Sequence, residues 1–273
     1  MVATRQTTVV VRHRGRDLPL SAWFRDTGRD LILFVHGLGC SKVSWRAAWS
    51  ASEIYGYALL AIDLPGFGAS PRPAGFSYDL AEQAELLAGV IDAHASRRTC
   101  LVAHSMGGTV AMLLPQAAAR RLDSVVLVEG RLLRSSCGIG SEAAGATIER
   151  FEAEVYPRFR RRVASDRRAA FDLDRADEHA FYLSSRSLVE HTGGAGLVSN
   201  FAALTCRKTF VFGADNAHLD ELTALDAGAV REVANAGHFV MNDNPRDFYR
   251  LVAGIAGNDS RYAEPGGRDN GNE

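Results

Sequence analysis

The chain has 273 residues, of which 47% are hydrophobic and 23% charged, enough apolar material for a folded core and no compositional sign of general disorder. With 31 Lys and Arg against 32 Asp and Glu, the formal net charge is -1. The electrostatic footprint of a dedicated nucleic-acid binder is therefore missing, and a small-molecule partner is favoured.

One α/β domain can fill this length. The opening MVATRQTTVV has no apolar stretch before a cleavage site, and no run of about 18 uncharged apolar residues follows, so a soluble cytoplasmic protein without membrane partners is expected. Cys40, Cys100, Cys137 and Cys206 are scattered without a CxxC pair, which suggests reduced thiols and neither a disulfide framework nor a zinc site. No metal or cofactor is called for.

In chain order, Thr8 to Arg12 and Pro19 to Phe24 are rich in β-formers and flank the turn-like RGRD, predicting an antiparallel hairpin at the edge of a sheet. Apolar runs at 31–39, 57–68, 98–108 and 123–130 each end in Gly or a polar residue, the pattern of strands buried on both faces. Helical stretches near Ser44 to Tyr55, Asp79 to His94 and Met106 to Arg121 separate them. Strand alternating with helix predicts a mostly parallel sheet covered by helices on both sides. Runs at 208–216 and 229–238 continue the sheet, and a helix near Pro245 to Ile255 closes it. Between about Arg131 and Thr205 the rhythm breaks into helical and glycine-rich pieces, predicting a mainly helical cap (131–205) over one end of a core formed by 1–130 and 206–257. The last residues, 258–273, are Gly, Asn and charge with little to bury, a composition expected to be disordered.

AHSMG at 103–107 follows the apolar run TCLVA and precedes a helical stretch, the setting of a nucleophile elbow. Ser105 is the candidate nucleophile. Ala103 and Gly107 supply the small residues that so sharp a turn requires, and the turn aims the Met106 N–H and the positive helix end at a developing oxyanion. HGLG at 36–39, at the end of an earlier strand, offers the Leu38 N–H as a second oxyanion donor, while His36 itself is expected to be structural. NAGHF at 235–239 places His238 after the last strand, where a neutral ring can take the serine proton. His104, His13, His94, His179, His191 and His218 lack that pairing with a strand-end nucleophile and are expected to be solvated or hydrogen-bonded.

HGLG, DLPGFGAS at 63–70, AHSMGG at 103–108 and AGHF at 236–239 occur in the order and at the spacing of the α/β-hydrolase superfamily, which the chain resembles over roughly residues 8–257, in its cap-bearing branch. The resemblance implies an eight-stranded α/β-hydrolase fold. Ser105 stands where dehalogenases and epoxide hydrolases of this fold carry Asp, which disfavours those two chemistries, and Asp63 matches a structural turn. The acid departs from the pattern. Relatives often carry it in a G-x-x-D sequence after the strand equivalent to KTFVFG, and here Asn216 stands in its place. Glu129, at the end of DSVVLVEG, is the preferred acid; Asp215 is the alternative, and a dyad with no acid is the third reading. Glu129 could instead cap a helix or pair with Arg131 or Arg134.

Tyr156, Phe159, Phe181 and Tyr182 in the expected cap are candidates to line the substrate pocket, or else to form the cap's own core; Cys40 and Ser41 are the next candidates for selection. Arg158, Arg160, Arg161 and Arg162 form a charge run expected to face solvent, the alternative being that one of them meets an anionic substrate such as an acyl carrier or coenzyme A. Glycines at 193–196 are compatible with a lid hinge. The expected activity is serine-dependent hydrolysis of a small ester, lactone, thioester or activated C–C bond through an acyl-enzyme. The alternatives are a non-hydrolytic lyase, cyclase or ligand-binding protein on the same fold, or an acyltransferase; a homo-oligomer is compatible with all of them.

Overall fold

Six short apolar runs and the two arms of one hairpin assemble into a single sheet in the computed structural model, which describes residues 5–28, 30–94 and 97–257. The strands are β1 (Arg5–His13), β2 (Arg16–Arg25), β3 (Leu31–Val35), β4 (Ala58–Ile62), β5 (Thr99–His104), β6 (Ser124–Val128), β7 (Arg207–Gly213) and β8 (Val230–Val233). Their spatial order is β1-β2-β4-β3-β5-β6-β7-β8. β1 and β2 form the antiparallel hairpin, with Val9 opposite Leu20, and β2 joins β4 antiparallel. All later pairs are parallel. The hairpin turns through Arg14 and Gly15, both at positive φ (45° and 81°), the backbone that matches the twist of a two-residue connection.

Alternation along each central strand divides the core into two layers. Leu31, Leu33 and Val35 of β3 face one layer with Leu87, Val90 and Ile91 from the helix Leu80–Ala93. Ile32 and Phe34 face the other, against Trp45, Phe248, Tyr249 and Val252. Every residue of β3, β4, β5 and β6 is buried, because helices cover both faces of the sheet.

The strand order reverses around β3. Its chain continuation β4 lies on one side and β5 on the other, so the loops that leave the carboxyl ends of β3 and β5 diverge and open a crevice there. HGLG and Ser105 occupy those two loops.

Three expected elements differ in the structure. The stretch after HGLG forms two 3-10 segments, Lys42–Trp49 and Ser52–Ile54, instead of one helix; Ser50 interrupts it by donating its hydroxyl to Ala47 O at 3.2 Å. The helix from Met106 stops at Met112 and resumes over Gln116–Ala119. Pro115 has no N–H and disfavours helical backbone at the residue before it. β8 ends at Val233, and Asn235 turns the chain at φ 53°.

Between Val128 and Arg207 the described chain contains helices and no strand. The helices are Ile139–Ala144, Tyr156–Val163, Arg167–Leu173, Glu178–His191 and Gly196–Ala203, with a π-helical turn at Phe151–Val155. Asp166 and Asp177 cap two of them, accepting from Arg168 N and Ala180 N at 2.8 Å each. Gly193 and Gly194 lie in a non-helical connection, and the helix Gly196–Ala203 begins after them. Phe151, Tyr156 and Phe181 are fully buried and belong to the same apolar cluster as the sheet layer of Leu33 and Val35. The segment is thus packed onto the strand ends. Among the described residues no helix is long and apolar enough to cross a membrane; the expected disordered tail, 258–273, lies outside them.

Candidate active site

Ser105 follows β5 and precedes the helix Met106–Met112 at φ 52°, ψ -120°, a backbone that L side chains rarely adopt. The strain is of order 1–3 kcal/mol, and the neighbours hold it in place. Ser105 N donates to Val128 O at 3.0 Å, and Ser105 O accepts from Arg131 N at 3.2 Å. Gly107 permits the turn by close approach: a Cβ there would lie 2.6 Å from His36 O and 2.9 Å from Val35 O. Met106 opens the helix, so its N–H is one of those without an intrahelical acceptor. Leu38 and Ser105 line one cavity of about 370 Å³, together with His104, Arg131, Phe159 and His238.

Glu129 follows β6 directly and is a second non-glycine residue at positive φ, 45°. Its N–H donates to Val211 O at 2.8 Å, which continues the ladder to β7 while the side chain turns under the strand ends. The carboxylate is completely buried. It accepts from His238 Nδ1 at 2.6 Å through Oε2, from Asn216 Nδ2 at 2.8 Å (Oε1) and 3.0 Å (Oε2), and from Gly213 N at 3.2 Å. A buried carboxylate needs such donors to replace the hydration it has lost. Asn216 therefore holds Glu129 as a donor. Asp215 is exposed, its N–H engaged with Ala236 O at 3.1 Å, and His238 bonds to Glu129 instead. The approach is close because residue 213 is glycine: a Cβ there would lie 2.3 Å from Ala236 O on the histidine loop.

The tautomer of His238 follows from this network. Nδ1 faces a buried carboxylate, so it carries the proton and leaves Nε2 as the acceptor. Arg131 Nη2 lies 3.1 Å from Nδ1 and 3.4 Å from Nε2, and of these two only Nε2 has a lone pair to offer it. Burial and the adjacent Arg131 guanidinium hold the His238 pKa well below its ordinary 6.5, so the ring is neutral at neutral pH. His104 packs on His238 with ring centroids 4.6 Å apart and bonds through Nε2 to His238 O at 3.0 Å. Burial pushes His104 well below its ordinary value too. Among the described residues the Ser105 hydroxyl has no hydrogen bond to the His238 ring.

Of the four aromatics expected at the pocket, Phe159 alone lines the cavity. Tyr156, Phe181 and Tyr182 take the other place expected for them, buried in the inserted segment's own packing. Tyr156 donates to Leu173 O at 3.2 Å, Tyr182 to Ala146 O at 2.9 Å, and Phe181 lies against Gly39, Phe151 and Tyr156. Helical spacing brought these rings together, and Phe159 at the edge of the group, 5.9 Å from Phe181 between ring centroids, is the one that reaches the cavity. Cys40 does line the cavity, whereas Ser41 donates to Asp172 at 2.5 Å. In the basic run Arg158 pairs with Glu142 and Arg160 with Asp174, and Arg162 stacks on Phe159 with 5.2 Å to the centroid while also reaching the cavity. His36 is structural, accepting from Leu64 N at 3.0 Å, and Asp63 binds Lys42 and the turn at Ala69 N. Sequence reasoning missed Arg131 as a cavity residue and Asn216 as a donor to Glu129. The first lies two residues beyond the favoured acid; the second was visible as the departure from G-x-x-D.

The sequence profile of the alpha/beta hydrolase family matches residues 32–251. The chain belongs to that family. Curated relatives include an sn-1-specific diacylglycerol lipase of Mus musculus, 28% identical with 87% of this chain and 85% of the relative aligned, and an esterase of Mycobacterium tuberculosis, 26% identical with 82% of each aligned. Among solved structures, an N-acyl homoserine lactonase superposes with a TM-score of 0.73 at 16% identity, covering 92% of this chain and 95% of that one. A thermophilic esterase from Thermogutta terrifontis gives 0.71 at 17% identity, covering 90% and 96%. The two structural likenesses concern the fold. The protein is an enzyme of a family whose members here are esterase- and lipase-like.

Proposed function

We propose that the protein is a serine-dependent hydrolase of small acyl substrates, with Ser105 as nucleophile, His238 as base, Glu129 as the orienting acid, and the N–H groups of Leu38 and Met106 as the oxyanion donors. The observation that carries the reading is the 2.6 Å bond between His238 Nδ1 and buried Glu129, on a ring that shares its cavity with Ser105. Ser105 Oγ attacks the carbonyl carbon as its proton passes to His238 Nε2. The imidazolium formed is stabilised by Glu129, and the oxyanion by the two N–H groups. Collapse expels the leaving group, which takes the proton from Nε2 and leaves an acyl-Ser105 ester. Water then gives a proton to Nε2, attacks the acyl carbon and releases the acid, restoring the Ser105 hydroxyl.

The segment 131–205 acts as a cap that shapes the acyl pocket through Phe159, Ile139, Val163 and Leu188, an apolar wall suited to a small organic substrate. Esterase- and lipase-like relatives favour oxygen esters within the wider set of acyl compounds. A fluorophosphonate probe followed by intact-mass measurement tests the assignment. One adduct is expected on the wild type and none on Ser105→Ala, which should keep its circular dichroism and lose 4-nitrophenyl butyrate turnover. Equal labelling of both proteins, or an unlabelled wild type, would exclude Ser105 as an activated nucleophile.

A further inference from the structure

Arg131 is the charged group beside His238 that the reaction above does not use; Arg162, Arg168, Asp166, Asp172 and Asp243 line other parts of the same cavity. Its backbone is fixed beside the elbow by Arg131 N to Ser105 O at 3.2 Å and by the Thr109 hydroxyl on Arg131 O at 2.6 Å. The side chain enters the cavity shared by Ser105 and His238 and is partly withdrawn from water, which lowers its pKa from the ordinary guanidinium value. Among the described residues it forms no salt bridge. The two carboxylates that attract it, Glu129 and Glu221, form no salt bridge with it among the described residues. Glu129 serves His238, Asn216 and Gly213; Glu221 accepts from Leu132 N and Leu133 N at 3.2 Å each and from Ser136 Oγ at 2.5 Å, all through Oε1, while its buried Oε2 has no hydrogen-bond partner among them. Arg131 is half-buried, and a guanidinium that has lost part of its hydration without gaining an ion pair is favoured by an anion that completes it.

Its resting position also opposes catalysis. With the Nδ1 proton given to Glu129, Nε2 holds the lone pair that must receive the serine proton, and Arg131 Nη2 sits 3.4 Å from it. A fixed cation there disfavours the imidazolium that the reaction has to form. The other charged or titratable groups around the histidine loop are His104, which packs on the ring, Asp215, with a carboxylate oxygen 3.7 Å from where a Cβ on Gly237 would stand, and Asp243, whose carboxylate takes Gly237 N at 3.0 Å.

We propose that Arg131 is a recognition site for a carboxylate carried by the substrate, and that binding this carboxylate draws the guanidinium off His238 and frees Nε2 for Ser105. The inference rests on the hydrolase reading and narrows its substrate class to acyl compounds with a free carboxylate near the scissile carbonyl, such as dicarboxylic hemiesters. The planar fork fits a carboxylate through two parallel N–H bonds. A single guanidinium matches a single negative charge better than a phosphate dianion.

Two measurements test it. In turnover, the wild type should prefer mono(4-nitrophenyl) glutarate to 4-nitrophenyl butyrate. Arg131→Gln should lower kcat/KM for the hemiester by about tenfold or more, the scale of a lost hydrogen bond to a charged group, and raise it for the neutral ester by freeing Nε2. Arg131→Lys should retain part of the preference. A fall in both esters by the same factor overturns the proposal.

In binding, Ser105→Ala should bind monoethyl glutarate about tenfold or more tightly than diethyl glutarate, and NMR should show the pKa of His238 rising when the monoester is added. Ser105→Ala/Arg131→Gln should show neither the selectivity nor the shift. Equal affinity of Ser105→Ala for the two compounds refutes the carboxylate site, whatever the fluorophosphonate result. An unlabelled wild type that still binds the monoester through Arg131 refutes the hydrolase reading alone.

Discussion

Replacing Glu129 by Gln changes one buried atom and separates an orienting acid from a carboxylate of merely structural use. Native Oε1 accepts from Gly213 N and Asn216 Nδ2, while Oε2 faces His238 Nδ1 at 2.6 Å. A glutamine that keeps its oxygen toward Gly213 presents its NH2 group to Nδ1. The ring must then accept at Nδ1 and carry its proton on Nε2, the wrong atom for a base. The opposite amide orientation turns the NH2 toward Gly213 N and strands a buried donor at a cost of about 1–3 kcal/mol, so the first is preferred. In a serine protease the corresponding amide substitution lowers turnover by about 10⁴ through the same tautomer error, or about 5.5 kcal/mol at about 1.4 kcal/mol per tenfold. Initial rates on 4-nitrophenyl butyrate should therefore show kcat for Glu129→Gln reduced by about 10³–10⁴, with thermal unfolding confirming that the variant is folded. Asp215→Asn, at an exposed position, should reduce it by no more than a few-fold. If Glu129→Gln keeps kcat within about tenfold of the wild type, or Asp215→Asn loses as much, the acid assignment is wrong.

The pH profile follows from His238: its pKa lies below the ordinary 6.5, so kcat/KM on a neutral ester should hold as pH falls through 6.5 and decline only at more acid pH. An acid limb centred near 6.5 would contradict this. Because the unfolded histidine takes its proton first, the depressed folded pKa makes stability fall as pH drops below about 6.5, which denaturant midpoints at pH 7 and pH 5 should register. Phe159→Ala should change the ratio of kcat/KM between acetyl and octanoyl esters with little change in Tm, because the ring lines the cavity. Phe181→Ala removes a fully buried ring and should cost about 3–5 kcal/mol of stability; the reverse pattern for the two phenylalanines would refute their placement.

Much of the fold was legible because buried parallel strands leave uninterrupted apolar runs, and β3 through β7 all lie within such runs. Local breaks were less legible. The helix after Ser105 stops short of Pro115, a boundary that residue type announces, but the 3-10 path from Lys42 depends on Ser50 and on packing against β3, which periodicity does not report. At the site, Ser105 and His238 stand out by strand-end position. The identity of the aromatic that faces the cavity does not: Tyr156 and Phe159 share one helix, and three residues of spacing send one into the packing and the other to the wall. Arg131 was hidden for a similar reason, since an arginine after a strand reads as a surface charge until the fold encloses it.

Asn216 looked like a defect in a catalytic pattern, and the geometry gives it a different meaning. Its amide lies 2.8 Å and 3.0 Å from the two oxygens of Glu129. An aspartate there would set two carboxylates in contact within a buried pocket, and one of them would be forced to hold a proton. An acid after β6 and an acid at 216 would thus repel each other, whereas the amide donates to both oxygens of the Glu129 carboxylate beneath His238. The strained backbone of Glu129, φ 45°, belongs to the same arrangement: a cost of order 1–3 kcal/mol is held in place by the donors that converge on the side chain. Arg131 follows two residues later and forms no salt bridge among the described residues. In the proposed mechanism the carboxylate that orients the base is not spent on this cation, which is left for the carboxylate inferred on the substrate.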